Sequence, residues 1–126
     1  MDKKRVLVVD DEADFTRIVK LNLDRIQKYE VRVETAGDKA LAAAREFKPD
    51  VILMDIIMPD VSGNELADQI QLDPELRDIP IVFVTAVLSR EEAPKIGGNR
   101  IGKHRFLAKP VQLKELVDCI EHPLVA

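Results

Sequence analysis

Val51-Ile52-Leu53-Met54-Asp55-Ile56-Ile57-Met58-Pro59 decides how the rest of the chain is read. Four apolar residues, entered from Pro49-Asp50, lead into a lone carboxylate, with Pro59 and Gly63 close behind. An unbroken apolar run of this kind suits a strand covered on both faces, as in a parallel sheet. A buried strand that stops on an aspartate presents its carboxylate at the sheet's C-terminal edge. Open α/β sheets place their sites along that edge. Asp55 is therefore the expected chemical centre.

Working outward, three further segments have the same form. Val6-Leu7-Val8-Val9 ends on Asp10-Asp11-Glu12, Ile81-Val82-Phe83-Val84 ends on Thr85-Ala86, and Arg105-Phe106-Leu107-Ala108 ends on Lys109-Pro110. Val31-Arg32-Val33-Glu34-Thr35 alternates apolar and polar residues and belongs at a sheet edge. Between the strands lie helical patterns. Phe15, Ile18, Val19, Asn22 and Ile26 share a face, with Leu23 beside them, behind an acidic first turn. Ala36-Gly37-Asp38 turns the chain and is expected to cap a helix running through Phe47. Leu66, Ala67 and Ile70 mark a third helix, and Leu113, Leu116, Val117 and Ile120 mark the last, stopped by Pro123. Ser89-Arg90-Glu91-Glu92 has the form of a capping box, but Pro94, Gly97, Gly98 and Gly102 interrupt the segment behind it. The expectation is a shortened, atypical fourth helix and then a mobile loop to about residue 104. Five alternations of strand and helix imply parallel strands joined by right-handed crossovers, in one α/β domain spanning residues 1–126.

Composition excludes several classes. A chain of 126 residues is long enough for one sizeable core and too short for two. Nineteen basic and 23 acidic residues leave a net charge of -4, which argues against nucleic-acid binding through bulk charge. The basic residues Lys95, Arg100, Lys103 and Arg105 read as solvated surface. One cysteine, Cys119, cannot close an internal disulfide and fits a reducing cytoplasm as a buried small hydrophobe. Two histidines without a CxxC pair make a structural zinc site improbable. No apolar run reaches membrane-spanning length, and Met1-Asp2-Lys3-Lys4-Arg5 does not resemble the start of a signal peptide.

In a parallel sheet Asp10-Asp11, Asp55, Thr85 and Lys109 all fall on one rim. Clustered carboxylates repel, and a hard divalent cation with oxygen ligands relieves that conflict. Magnesium, with manganese as a substitute, fits this inventory. Lys109 and Thr85 would supply a positive charge and a hydroxyl donor to an oxyanion beside the metal. Phosphoryl transfer needs that combination, because its catalysis is mostly positioning and charge neutralisation. Asp55 would be the nucleophile and form an acyl phosphate.

The segments Val8-Val9-Asp10-Asp11, Met54-Asp55 with Met58-Pro59 and Gly63, Val84-Thr85-Ala86 and Phe106-Leu107-Ala108-Lys109-Pro110 together resemble the receiver domain of a two-component response regulator. The likeness runs along essentially the whole chain. It implies a flavodoxin-like, doubly wound five-stranded parallel sheet in the order 2-1-3-4-5, an order for which a member of this family serves as a standard example. It also implies phosphoryl transfer to Asp55 from the phosphohistidine of a sensor histidine kinase or phosphotransfer protein, and a downstream protein target or effector domain. A homodimer formed on phosphorylation stays open. By the same resemblance Asp11 binds the metal directly, Asp10 largely through water, and Ile57 through its backbone carbonyl. Thr85 and Phe106 form a switch pair, Lys109 pairs with the phosphoryl group, and the Lys109-Pro110 bond is cis. Apolar Ile57 and Val87, two residues beyond Asp55 and Thr85, point to a long-lived acyl phosphate. The chain is expected to be a signalling switch without enzymatic turnover. A magnesium-dependent phosphatase on a related sheet would carry a second aspartate two residues after the nucleophile, where Ile57 stands. A receiver-like module that is never phosphorylated would not need Asp10, Asp11, Asp55, Thr85 and Lys109 intact.

Overall fold

The computed structural model describes residues 3–56, 58–85, 100–101 and 104–123, and the side chains at positions 64, 85, 100, 101 and 104 are outside that description. The expected fourth helix, its capping box at Ser89 and the interruptions at Pro94, Gly97, Gly98 and Gly102 lie outside the described residues.

The strands are β1 (Lys4–Val9), β2 (Tyr29–Glu34), β3 (Val51–Met54), β4 (Ile81–Thr85), β5 (Arg100–Ile101) and β6 (His104–Ala108). The helices are α1 (Ala13–Ile26), α2 (Ala40–Phe47), α3 (Gly63–Leu72) and α4 (Leu113–Glu121). Five parallel strands run in the order β2-β1-β3-β4-β6, which is the expected order with β6 as the fifth parallel strand. The two-residue β5 adds antiparallel to the outer side of β6. Part of the segment expected to be a loop is thus strand, because the outer edge of β6 would otherwise present unpaired N–H and C=O groups.

Helices cover both faces of the sheet, and the two cores follow the two-residue period of the strands. Leu7, Val9, Ile52, Met54, Ile81, Phe83 and Phe106 pack with Ala40, Ala44, Leu66 and Ile70 of α2 and α3. Val6, Val8, Val51, Leu53, Val82, Val84 and Leu107 pack with Val19, Leu23, Leu116 and Ile120 of α1 and α4. Strands buried this way read as continuous apolar runs, and β2, at the edge, alternates as expected. Cys119 is fully buried, and burial pushes its thiol up from the ordinary range.

Three local expectations are corrected. Ile18 is 56 % exposed; Val19 and Leu23 are buried and Phe15 and Ile26 pack against the core as expected, and Thr16 is buried with them. Thr16 tolerates burial because its hydroxyl donates to the Ala13 carbonyl at 2.9 Å. Asp38 caps no helix: a 3-10 turn at Gly37–Lys39 precedes α2, and the Asp38 N–H donates to Asp60 Oδ2 at 2.9 Å. Arg105 lies in its strand as expected but is not solvated surface, for its guanidinium donates to the His122 carbonyl at 2.6 Å and to Asp118 at 3.3 Å, tying β6 to α4.

Tyr29, buried at the start of β2, donates its hydroxyl to Glu121 Oε2 at 2.7 Å and joins that edge to the end of α4. Burial, reinforced by the Glu121 carboxylate, pushes the phenol up from 10.0 to about 12. A pKa raised in the folded state gives stability that is whole below the unfolded value and lost as pH rises through the folded one. Tyr29→Phe is expected to lower stability at neutral pH by about 1 kcal/mol. It should also flatten the decline expected of the wild type between pH 10 and about 12, read by urea titrations. Superimposable pH curves for the two proteins would refute the assignment.

Candidate functional site

Asp10 follows directly on the buried run of β1, and its backbone N–H continues the ladder by donating to the Glu34 carbonyl at 3.1 Å. The Asp10 side chain is 1 % exposed, and its Oδ1 accepts the Glu12 N–H at 2.9 Å, which fixes the carboxylate at the entry of α1. Asp55 follows β3 in the same way, with its N–H donating to the Val9 carbonyl at 3.0 Å. Parallel pairing of β1 with β3 thus sets two carboxylates side by side. Asp11 is exposed and adds a third: one oxygen from each of Asp10, Asp11 and Asp55 lies within 4.8 Å of the others.

Lys109 enters from the end of β6, just before a cis bond to Pro110. Its ammonium stands 2.8 Å from Asp10 Oδ2, 2.5 Å from Glu12 Oε1 and 3.7 Å from Asp55 Oδ2. It also lies over the Phe15 ring, 4.4 Å from the centroid. The approach to Asp10 is an ion pair by distance but lacks hydrogen-bond angles, so the buried Asp10 Oδ2 has no hydrogen-bond donor. Burial raises the Asp10 carboxyl above its ordinary range. The Lys109 ammonium and the Glu12 N–H pull it down, and the neighbouring Asp55 charge pushes it up again. For Lys109 burial works against the charge, yet Asp10, Glu12 and Asp55 outweigh it and hold the ammonium above the usual lysine range.

Oxygen donors that repel one another, one of them buried without a hydrogen-bond donor, fit a small hard cation such as magnesium. Asp10, Asp11, Asp55 and Lys109 therefore converge as the sequence led one to expect. Thr85 ends β4 in register with Ala108, one residue before Lys109, and its side chain is outside the described residues. Phe106 pairs with Phe83 and is buried at 1 % exposure. Ile57 and Val87 lie outside the described residues. Sequence reasoning missed Glu12 and Phe15. Glu12 reads as helix-entry charge and Phe15 as core, and no spacing rule links either to a lysine nearly a hundred residues away. Among the described residues no helix is long and apolar enough to cross a membrane.

Comparison with known proteins agrees with this geometry. Protein PilH of Pseudomonas aeruginosa is 37% identical over 118 residues, covering 92% of this chain and 93% of PilH. The transcriptional regulatory protein ResD of Bacillus subtilis is 34% identical over 116 residues, covering 92% of this chain but only 46% of ResD. The structure of the chemotaxis response regulator CheY4 of Vibrio cholerae is similar with a TM-score of 0.77 at 27% identity, covering 96% of this chain and 98% of that one. Residues 6–121 match the response regulator receiver domain family, and the chain belongs to that family.

Proposed function

We propose that residues 1–126 form a single receiver domain that accepts a phosphoryl group on Asp55 and works as a signalling switch. The observation that carries this reading is the rim itself, with three carboxylates within 4.8 Å of one another and a lysine 3.7 Å from Asp55. Asp10, Asp11 and Asp55 would hold magnesium, or manganese in its place, with the Ile57 carbonyl as the remaining ligand that family resemblance implies. Held there, such an ion would supply positive charge to offset that of the phosphoryl oxygens.

The chain's own residues do the rest. An Asp55 carboxylate oxygen attacks phosphorus on the donor's phosphohistidine. The new O–P bond forms as the N–P bond breaks, and the imidazole nitrogen leaves with the electron pair. A carboxylate is already ionised, so the step needs no general base. Lys109 pairs with a phosphoryl oxygen, and the Thr85 hydroxyl donates to another. β4 and β6 are adjacent, so a change at Thr85 passes across one strand pair to β6 and Phe106. That face then reports to a downstream protein or effector domain. The donor is a sensor histidine kinase or phosphotransfer protein in the cytoplasm, and the chain turns over no substrate of its own.

The test is chemical labelling. The protein, treated with acetyl phosphate and magnesium, is expected to gain one hydroxylamine-labile phosphoryl group that maps to Asp55. A label that forms equally well in chelator, or that maps to another residue, would overturn the reading.

A further inference from the structure

We infer that Glu12 is a positioning residue that berths Lys109 on the α1 side of the pocket until a phosphoryl group draws the ammonium away. This rests on the reading of Asp55 as phosphoacceptor. The Lys109 side chain is only 10 % exposed, so the partner it chooses matters more than at an open surface. Three carboxylates compete for it: Glu12 lies at 2.5 Å on the solvent side, Asp10 at 2.8 Å on the buried side, and Asp55 stands farther off at 3.7 Å. The Phe15 ring, 4.4 Å away, forms a second wall of the same berth through cation–π attraction.

The Glu12 backbone is pinned, because its N–H donates to Asp10 Oδ1 and its carbonyl accepts the Thr16 N–H at 3.1 Å. Its side chain is 58 % exposed, so the carboxylate keeps water as an alternative partner and can release the ammonium. A phosphoryl group on Asp55 brings close to two negative charges and several acceptor oxygens, which outcompete one solvated carboxylate. Lys109 must therefore leave Glu12 to serve the transferring group. A contact made in the resting state and lost in the transition state slows the reaction.

Glu12→Gln keeps the shape and removes the charge. It is expected to speed acceptance from acetyl phosphate about two- to fivefold at saturating magnesium, the range an ion pair of this exposure represents. Asp14→Asn removes the same charge from the same helical turn without touching Lys109, and its rate should stay at the wild-type value. An unchanged rate in Glu12→Gln, or an equal gain in Asp14→Asn, would overturn the berth in favour of no effect or bulk charge. A stability cycle in urea on the metal-free protein, pairing Glu12→Gln with Lys109→Met, reads the contact without any phosphoryl chemistry. Coupling of about twofold or more in the folding equilibrium supports the berth, and additivity overturns it. If Lys109→Met does not fold, the two rates decide alone. If the wild type takes no label at Asp55, the phosphoacceptor reading fails, while the stability cycle still decides whether Glu12 holds the lysine.

Discussion

Asp55→Asn is expected to take no label from acetyl phosphate and, in the absence of metal, to be more stable than the wild type. Loss of labelling follows from chemistry, since an amide is no nucleophile toward phosphorus and cannot form an acyl phosphate. The gain in stability follows from the charges around Asp55, and its sign has to be weighed. At an effective dielectric of about 20, a like-charge pair within 4.8 Å costs roughly 3.5 kcal/mol or more, and an opposite pair at 3.7 Å returns roughly 4.5 kcal/mol. Among the three carboxylates and the lysine of the rim, Asp55 is repelled by Asp10 and Asp11 and attracted by Lys109. Repulsion wins, and after discounting for the exposed Asp11 the relief is about 1 kcal/mol. Lys109 meanwhile keeps Asp10 and Glu12 as partners.

Asp10 gives the same experiment a pH signature. A carboxyl raised in the folded state lets the folded protein bind a proton that the unfolded chain releases. The stability it gives is whole below the ordinary carboxylate range and lost as pH rises through the folded value. Removing the Asp55 charge takes away one of the causes of the raised value, so the metal-free variant should lose less stability than the wild type as pH rises from acid to neutral. Magnesium should stabilise the wild type by about 1.4 kcal/mol at roughly ten times its Kd, and the variant by less. Urea titrations with and without magnesium, set beside the labelling assay, read all three effects. A variant that still takes label, or one less stable than the wild type without metal, would remove the charge argument.

What could be read from the sequence was whatever a period or a strand end encodes. Val51–Met54 and Val6–Val9 are continuous apolar runs because helices cover both faces of the strands. Asp55 and Asp10 end those runs, so parallel pairing places them together. Right-handed crossovers and the alternating β2 narrowed the topology to a parallel sheet with β2 at an edge, and the strand order itself came from the family resemblance. What escaped depended on where side chains turn after the backbone is placed. Ile18 fits a helical stripe, yet Thr16 is buried in preference because its own turn satisfies its hydroxyl. Asp38 looks like a cap, but the turn tightens to 3-10 geometry and Asp60, from the loop after β3, takes its N–H. Glu12 and Phe15 meet Lys109 only because β6 and the entry of α1 end on one rim. Gly63 shows the limit most clearly. Its place near Asp55 was visible, and the reason it must be glycine was not.

Gly63→Ala is expected to lose about 3 kcal/mol of stability and to accept a phosphoryl group poorly, whereas Gly37→Ala loses less, about 1–2 kcal/mol. The contrast comes from what each new methyl group would meet. At Gly63 a Cβ would press into the Asp55 carbonyl oxygen and lie 2.8 Å from Ile56 Cα and 3.1 Å from the Asp55 carbonyl carbon. All three are backbone atoms, and no rotamer change can clear them. The Gly63 N–H also donates to the Ile56 carbonyl at 2.6 Å, so the first turn of α3 is seated directly against the end of β3. A methyl group there must push apart the helix and the segment that carries the phosphoacceptor, and Asp55 moves with it. At Gly37 the new atom would meet the Val61 Cγ1 methyl, Asp60 Oδ1 at 3.1 Å and Met58 Cε at 3.4 Å. Those are side-chain atoms, so they can yield without moving backbone, although Val61 is stiff at χ1 and Asp60 would loosen its bond to the Asp38 N–H. Phosphoryl transfer is sensitive to sub-ångström placement, so the Gly63 variant should lose labelling rate beyond its loss of folded population. Urea denaturation of both variants, with labelling measured where each is still folded, checks the pair. Equal stability losses, or a folded Gly63→Ala protein that takes label at the wild-type rate, would show that α3 does not fix the position of Asp55.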